Sequence, residues 1–230
     1  MTIRDRRTSV LERRRVLRSR DRFWHTGELA GPPSTRQHIL STLVDEGELR
    51  HVRRGLYWRG GKSPLGMAPP PTDVLIHELA PGPGVGPAGL YAANLLRLST
   101  QVPRRAEVAV PTRAPENLSA IRFVARPSRD ARVRARLTPT EVALLEVLGS
   151  WESAVELAPD EAWQRLLALL SSEQVRPDRI ARASLTEPGL VRARLRELLR
   201  ASGRSDLAEQ VPDSDERTTA AARRVLPVTT

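Results

Sequence analysis

The residues able to do chemistry point away from catalysis. Gly60-Gly61-Lys62-Ser63 has the ending of a phosphate-binding loop. That loop also needs a glycine at position 56, which holds Leu56, with Gly55 one residue out of register. Pro64 blocks the helix whose N–H groups would cradle the phosphates. Gly82-Pro83-Gly84-Val85-Gly86 has no helix following at the distance dinucleotide binding requires, and its prolines stiffen it. The four histidines are His25, His38, His51 and His77. His77-Glu78 would open a zinc-protease helix, but Pro81 stands where the second histidine belongs. A nuclease of the Glu-x-Lys type needs a lysine, and Gly60 lies two places before the only one, Lys62. No Gly-x-Ser-x-Gly elbow is present. The absence of cysteine excludes disulfides, thiolate metal sites and a cysteine nucleophile, and it fits a reducing compartment. No catalytic role, metal or cofactor is expected. Trp24, Trp58, Trp151 and Trp163 read as packing residues rather than a stacking platform.

What remains is hydrogen bonding and positive charge, concentrated in PSTRQHILSTLVDEGELRHVRRGLYW. Ser34 and Gln37 have the spacing of a helix capping box. Ile39, Leu40, Leu43 and Val44 form an apolar stripe spanning about 140° of arc at 100° per residue. The opposite face carries His38, Ser41, Thr42 and Asp45, flanked by Thr35 and Gln37, and Gly47 stands at the helix end. Small polar side chains on such a face allow close approach to a major groove and hydrogen bonds to base edges. Arg36 falls toward the apolar stripe, a placement suited to a phosphate contact from the first turn. Beyond Gly47 the pattern turns β-like. Leu49–Val52, including Arg50, and Leu56–Trp58 flank Arg53-Arg54-Gly55, a hairpin with two arginines at its tip and a glycine fit for positive φ. A wing of that kind can follow a phosphate backbone or enter a minor groove. The candidate DNA-binding residues are therefore Ser34, Thr35, Arg36, Gln37, His38, Ser41, Thr42, Arg50, Arg53 and Arg54.

The surrounding elements complete a winged helix-turn-helix. Val10–Ser19 reads as a short basic amphipathic helix, and Thr26 as the cap of a short helix that Gly31-Pro32-Pro33 stops. Charge supports the placement. The chain has 37 basic and 27 acidic residues, and all basic residues but Lys62 are arginine. Residues 1–62 hold 15 basic against 7 acidic groups, whereas the rest is nearly balanced. Phosphate backbones or acidic surfaces are the natural partners of such a segment. With 40% hydrophobic and 28% charged residues the chain can form a core, built from Leu, Val and Ala because aromatics are only 3%. No run of about 18 apolar residues exists to cross a membrane. Arg4, Arg6 and Arg7 precede no apolar run, so no secretory signal is read there. The organisation expected is a winged helix-turn-helix domain over 1–61, a linker over 62–71 within Gly60–Pro71, an α+β domain over 72–203 with helices dominant, and a polar tail over 204–230. A short helix at Asp215–Val225 is the alternative for that tail.

In the second domain, Thr72–Leu79 and Leu90–Leu98 read as helices, Glu107–Val110 and Ile121–Ala125 as strands. Thr138 and Glu141 form a capping box before a core helix with Val142, Leu144, Leu145, Val147 and Leu148. Pro159–Leu170 and Leu190–Arg200 are further helices. The run AANLLRLSTQVP (Ala92–Pro103), set behind a winged helix that ends DEGELRHVRRGLYW (Asp45–Trp58), resembles the abortive-infection E antitoxin family over roughly Trp24 to Leu199. Arg97 departs from the pattern, which calls for a small residue such as Gly. The resemblance implies an antitoxin of a type IV toxin–antitoxin system. Such a protein is a cytoplasmic autorepressor that binds inverted repeats in its own promoter, double-stranded DNA, and counteracts a nucleotidyltransferase-like toxin encoded beside it. Without the resemblance, three readings stay open: a DNA-binding regulator whose second domain senses an effector, a protein-interaction adaptor for an acidic partner, and an enzyme with a winged-helix accessory domain.

Overall fold

A computed structural model describes residues 3–64 and 66–224 and divides the chain between Glu78 and Leu79. The protein is α+β: the first unit mixes helices and strands, and the second is richer in helix.

The first unit runs α1 (Ile3–Arg18), β1 (Arg22–His25), a 3₁₀ turn (Thr26–Glu28), α2 (Pro33–Asp45), β2 (Arg50–Arg53) and β3 (Leu56–Arg59). The three strands form an antiparallel sheet in the order β1-β3-β2, with Trp24 opposite Tyr57 and Arg50 opposite Trp58. Alternation along the strands gives the sheet two buried faces. On one, Trp24 and Tyr57 join Val16, Leu29, Ile39, Leu40, Leu43 and Leu49 in a single core. This is the burial that holds the apolar stripe of α2 in place. On the other, Phe23 and Trp58 stack with ring centroids 4.7 Å apart. The expected linker contributes here. Lys62–Ser63 (β4) and Gly66–Met67 (β5) pair as a small hairpin. The Gly60 N–H meets the buried Met67 Sδ at 3.1 Å, and Arg50 Nη1 donates to the Met67 carbonyl at 3.2 Å. α3 (Thr72–Leu79) follows, and the division falls before its last residue.

In the second unit, β6 (Gly86–Pro87) and β8 (Ile121–Ala125) flank β7 (Ala106–Val110). β6 pairs antiparallel to β7, and β8 pairs parallel to it. Gly86 is required by contact: a Cβ there would stand 2.7 Å from Val142 Cβ and 2.8 Å from the Pro139 carbonyl. The remaining elements are α4 (Gly89–Leu95), α5 (Ala131–Arg134), α6 (Pro139–Gly149), α7 (Trp151–Ala154), α8 (Pro159–Leu170), α9 (Pro177–Ala183), α10 (Gly189–Ala201), α11 (Ser205–Gln210) and α12 (Glu216–Arg223). The Thr138–Glu141 capping box is present: the Glu141 N–H donates to Thr138 Oγ1 at 3.4 Å, and Glu141 Oε2 accepts from the Thr138 N–H at 2.8 Å. α6 is buried from Glu141 to Leu148 and is the axis of the core. Its two carboxylates are neutralised by arginines. Arg176 pairs with Glu141, and Arg126, Arg129 and Arg132 surround Glu146. Arg194, fully buried, donates to the Leu148 carbonyl near the end of α6 at 2.7 Å and pairs with Glu152.

Three local expectations are revised. α2 begins at Pro33 with Pro32 as its cap residue, so Ser34 lies inside the first turn and forms no capping box with Gln37. Proline at the first helical position, where its missing N–H costs nothing, moves the start back. Thr26 likewise caps no helix: its N–H and hydroxyl both donate to the Gly55 carbonyl, at 3.0 and 3.5 Å. The polar segment after residue 203 folds onto α10 as α11 and α12 by burying Leu207, Ala208, Val211 and Ala222. Val225, the expected end of the last helix, lies outside the described residues.

Candidate nucleic-acid interface

On α2, Ser34, Gln37, His38 and Asp45 are exposed and Ser41 is half-buried; these five positions fall on one face of the helix. Thr35 and Thr42 are half-buried at its flank. Two of the polar groups already have protein partners. Gln37 Nε2 donates to Tyr57 Oη at 3.1 Å, and Ser41 Oγ donates to the His38 carbonyl at 3.1 Å. Arg36 is half-buried, with its Nε buried and unpartnered, in agreement with its position toward the apolar stripe.

The hairpin joins this face through Tyr57. Tyr57 receives Gln37 from α2 and lies 5.3 Å, ring to ring, from His51 on β2. Tyr57, missed as a site residue, thus couples helix and hairpin; its place in an aromatic-rich strand was the only signal. At the tip, Arg54 is exposed and Arg53 half-buried, and Gly55 has φ +78°. The bond from Thr26 to the Gly55 carbonyl ties the turn to the 3₁₀ segment. Arg50 is exposed, but its guanidinium also braces the β4–β5 hairpin.

Among the described residues, ion pairing leaves these arginines unmatched, as it does Arg7, Arg14, Arg18 and Arg20. Glu46 pairs with Arg13, Glu12 with Arg15, and Glu28 with Arg22. Glu48 pairs with Lys62 at 2.6 Å and with Arg59 at 3.2 Å, and its hydrogen bond from Lys62 helps hold its carboxyl below the usual range. The acidic residues are therefore largely matched to structural cations. No ion pair among the described residues includes Arg36, Arg50, Arg53 or Arg54. The tip of the hairpin is left as unneutralised positive charge, and Asp45 is the one exposed carboxylate on the polar face of α2.

In the second unit the segment Ala92–Pro103 has a structural task. Ser99 Oγ and the Thr100 N–H donate to Glu156 Oε2 at 2.7 and 2.8 Å, and Gln101 Nε2 donates to Oε1. The Ser99 hydroxyl first, then the Thr100 N–H and the Gln101 amide, hold the Glu156 carboxyl at about 2. The folded value lies below the unfolded one. The clamp's stabilisation is therefore present above the ordinary carboxylate range and lost as pH falls toward about 2. The melting temperature of the wild-type chain is expected to fall more steeply than that of Glu156→Gln across this window. Parallel pH profiles for the two would show that the clamp does not titrate.

Arg97 sits in the left-handed region, with φ +59° and an exposed side chain. That conformation costs a side-chain-bearing residue roughly 1–2 kcal/mol, partly offset by the entropy a glycine loses on folding. Arg97→Gly is expected to stabilise the second unit by about 0.5–1 kcal/mol in urea denaturation. A loss of stability would mean that the exposed guanidinium contributes more than its backbone strain costs.

No family model and no curated protein matches the chain. Among solved structures it is similar to the crystal structure of the RV2827C protein from Mycobacterium tuberculosis, with 16% identity and a TM-score of 0.48, covering 90% of this chain and 78% of that one. A likeness at that distance carries no weight for fold or function. No helix among the described residues is long and apolar enough to cross a membrane, and none of their side chains form a group that could hold a metal ion.

Proposed function

We propose that the first unit is a winged helix-turn-helix that binds double-stranded DNA. The second helix of that motif is reduced here to the 3₁₀ turn, α2 serves as the recognition helix and the β2–β3 hairpin as the wing. The observation that carries the reading is the pairing of an exposed small-polar face on α2 with a wing tip whose arginines have no carboxylate partner among the described residues. Ser34, His38 and the free amide capacity of Gln37 are the base-reading candidates, and Arg53 and Arg54 the phosphate contacts. Arg36, half-buried beside the core, positions rather than reads. With the resemblance of Ala92–Pro103, this supports a repressor of its own promoter that acts as a type IV antitoxin against a nucleotidyltransferase-like toxin.

The test is fluorescence anisotropy of the full chain on the DNA upstream of its own gene, against a scrambled duplex of equal length at two salt concentrations. A preference of about 100-fold, or about 2.7 kcal/mol, is expected for the promoter. Equal, steeply salt-dependent binding to both would reduce the unit to a charge reader and remove the repressor assignment.

A second reading has its own observation. Val10 and Leu11 are 50% and 57% exposed on α1, among the exposed Arg7, Arg14 and Arg18. Apolar groups flanked by arginines suit an acid-rimmed protein partner better than DNA. Loss of an antitoxin effect in Leu11→Ser with promoter binding intact would favour this adaptor role.

A further inference from the structure

The second unit carries a cleft of about 610 Å³ lined by Leu90, Pro103, Arg104, Arg105, Glu107 and Arg122. Its walls come from separate pieces of backbone. Leu90 lies in the first turn of α4, Pro103–Arg105 lead into β7, and Glu107 and Arg122 are direct partners in the parallel β7–β8 register. The lead-in is held where it enters the sheet, because the Ala106 N–H donates to the Ala120 carbonyl at 2.8 Å.

Three arginines and one glutamate line the cleft. Arg122 Nη1 stands 3.8 Å from Glu107 Oε2, with the arginine side chain 61% exposed, a pairing too loose to occupy its donors. Arg104 and Arg105 are exposed and belong to no ion pair among the described residues. A site with a surplus of two positive charges attracts anions. A phosphate group near neutral pH carries up to about two negative charges and offers the oxygen geometry that arginine forks bind in pairs. A single carboxylate would leave the surplus half matched.

We propose that this cleft binds the phosphate groups of a small soluble ligand of nucleotide type, with Arg104, Arg105 and Arg122 as phosphate ligands. Leu90 and Pro103 provide the apolar wall for the remainder of the molecule. Its volume of about 610 Å³ is that of a site for a discrete ligand rather than for the continuous backbone of a duplex. The assignment is independent of the DNA-binding reading, which concerns the first unit alone.

The test is isothermal titration calorimetry of the full chain with inorganic triphosphate at physiological ionic strength. The wild type is expected to bind at one site. Arg104→Gln/Arg105→Gln/Arg122→Gln, all exposed positions, is expected to keep the native circular dichroism spectrum and weaken binding about tenfold or more. Arg53→Ala/Arg54→Ala should bind triphosphate as the wild type does. No binding by the wild type, unchanged binding by the triple variant, or loss in the wing variant instead would each overturn the proposal. A last arm separates the two sources of phosphate. Random duplex DNA, at equal phosphate concentration, is expected not to displace triphosphate from the wing variant; displacement would overturn the assignment to a small ligand.

Discussion

Arg132→Met is expected to destabilise the second unit by about 3–5 kcal/mol, because it strands buried carboxylates. Arg132 is fully buried. Its Nε and Nη2 donate to the two oxygens of Glu187 at 2.6 and 2.8 Å, and its Nη1 donates to Glu146 at 2.8 Å. Burial disfavours the charge on Arg132, but its bonds to Glu187 and Glu146 outweigh it and hold the guanidinium more firmly protonated than usual. Glu146 is likewise pushed up by burial and drawn down further by Arg132 and Arg129, so its net shift is downward. Without Arg132, Glu146 keeps Arg126 and Arg129, whereas Glu187, whose side chain is also fully buried, keeps only Arg129 Nε at 3.6 Å among the described residues. Two consequences separate this account from simple loss of volume. The double variant Arg132→Met/Glu187→Met should cost less than the single, since no unpaired charge remains. The deficit of the single variant should also shrink as the medium is acidified, because protonation removes the stranded charge. Hydrogen exchange of the α6 and α10 amides reads the loss in this unit alone. A deficit independent of pH would make the cost one of packing.

Arg53→Ala/Arg54→Ala is expected to reduce the slope of log affinity against log salt by about two units on any duplex, and to weaken binding about ten- to hundredfold at low salt. The reasoning is local. Both residues lie at a turn fixed by Gly55 and by its bond to Thr26, and neither has an intramolecular carboxylate partner among the described residues. Their charge is thus available for counterion release from DNA. Because phosphate contacts carry no sequence information, promoter and scrambled duplexes should lose affinity equally. An unchanged slope would take the wing off the contact surface, and a loss confined to the promoter would make these residues base readers.

Much of the framework was legible in the residues. The apolar stripe of α2, the arginine-tipped hairpin, the strands read at Glu107–Val110 and Ile121–Ala125 and the Thr138–Glu141 box are local patterns, and local patterns survive into the fold. The misses have physical causes. Arg22–His25 is too short and too polar at its ends to show alternation, yet Phe23 and Trp24 bury opposite faces of the sheet. Ser34 lost its capping role to a neighbouring proline. The linker reading failed because glycines and prolines between 60 and 71 also serve a hairpin closed on Met67. Parallel pairing of β7 and β8 is a non-local choice that neither strand encodes alone. Arg132 and Arg194 have side chains that ordinarily mark a surface, and only their distant carboxylate and carbonyl partners make them interior. The polar face of α2 was readable as a face, but the capture of Gln37 by Tyr57 was not.

The salt link between Lys62 and Glu48 has a wider meaning for how this basic surface could be tuned. Lys62 is the only lysine in the sequence, and its ammonium on β4 is already paired with Glu48, just before β2. Guanidinium groups stay charged at every physiological pH. Enzymes that silence cationic surfaces by acylating lysine would find one target here, and it is a brace rather than a contact. The positive charge at the β2–β3 tip is therefore indifferent to lysine acylation and to physiological pH, and it is screened by ionic strength.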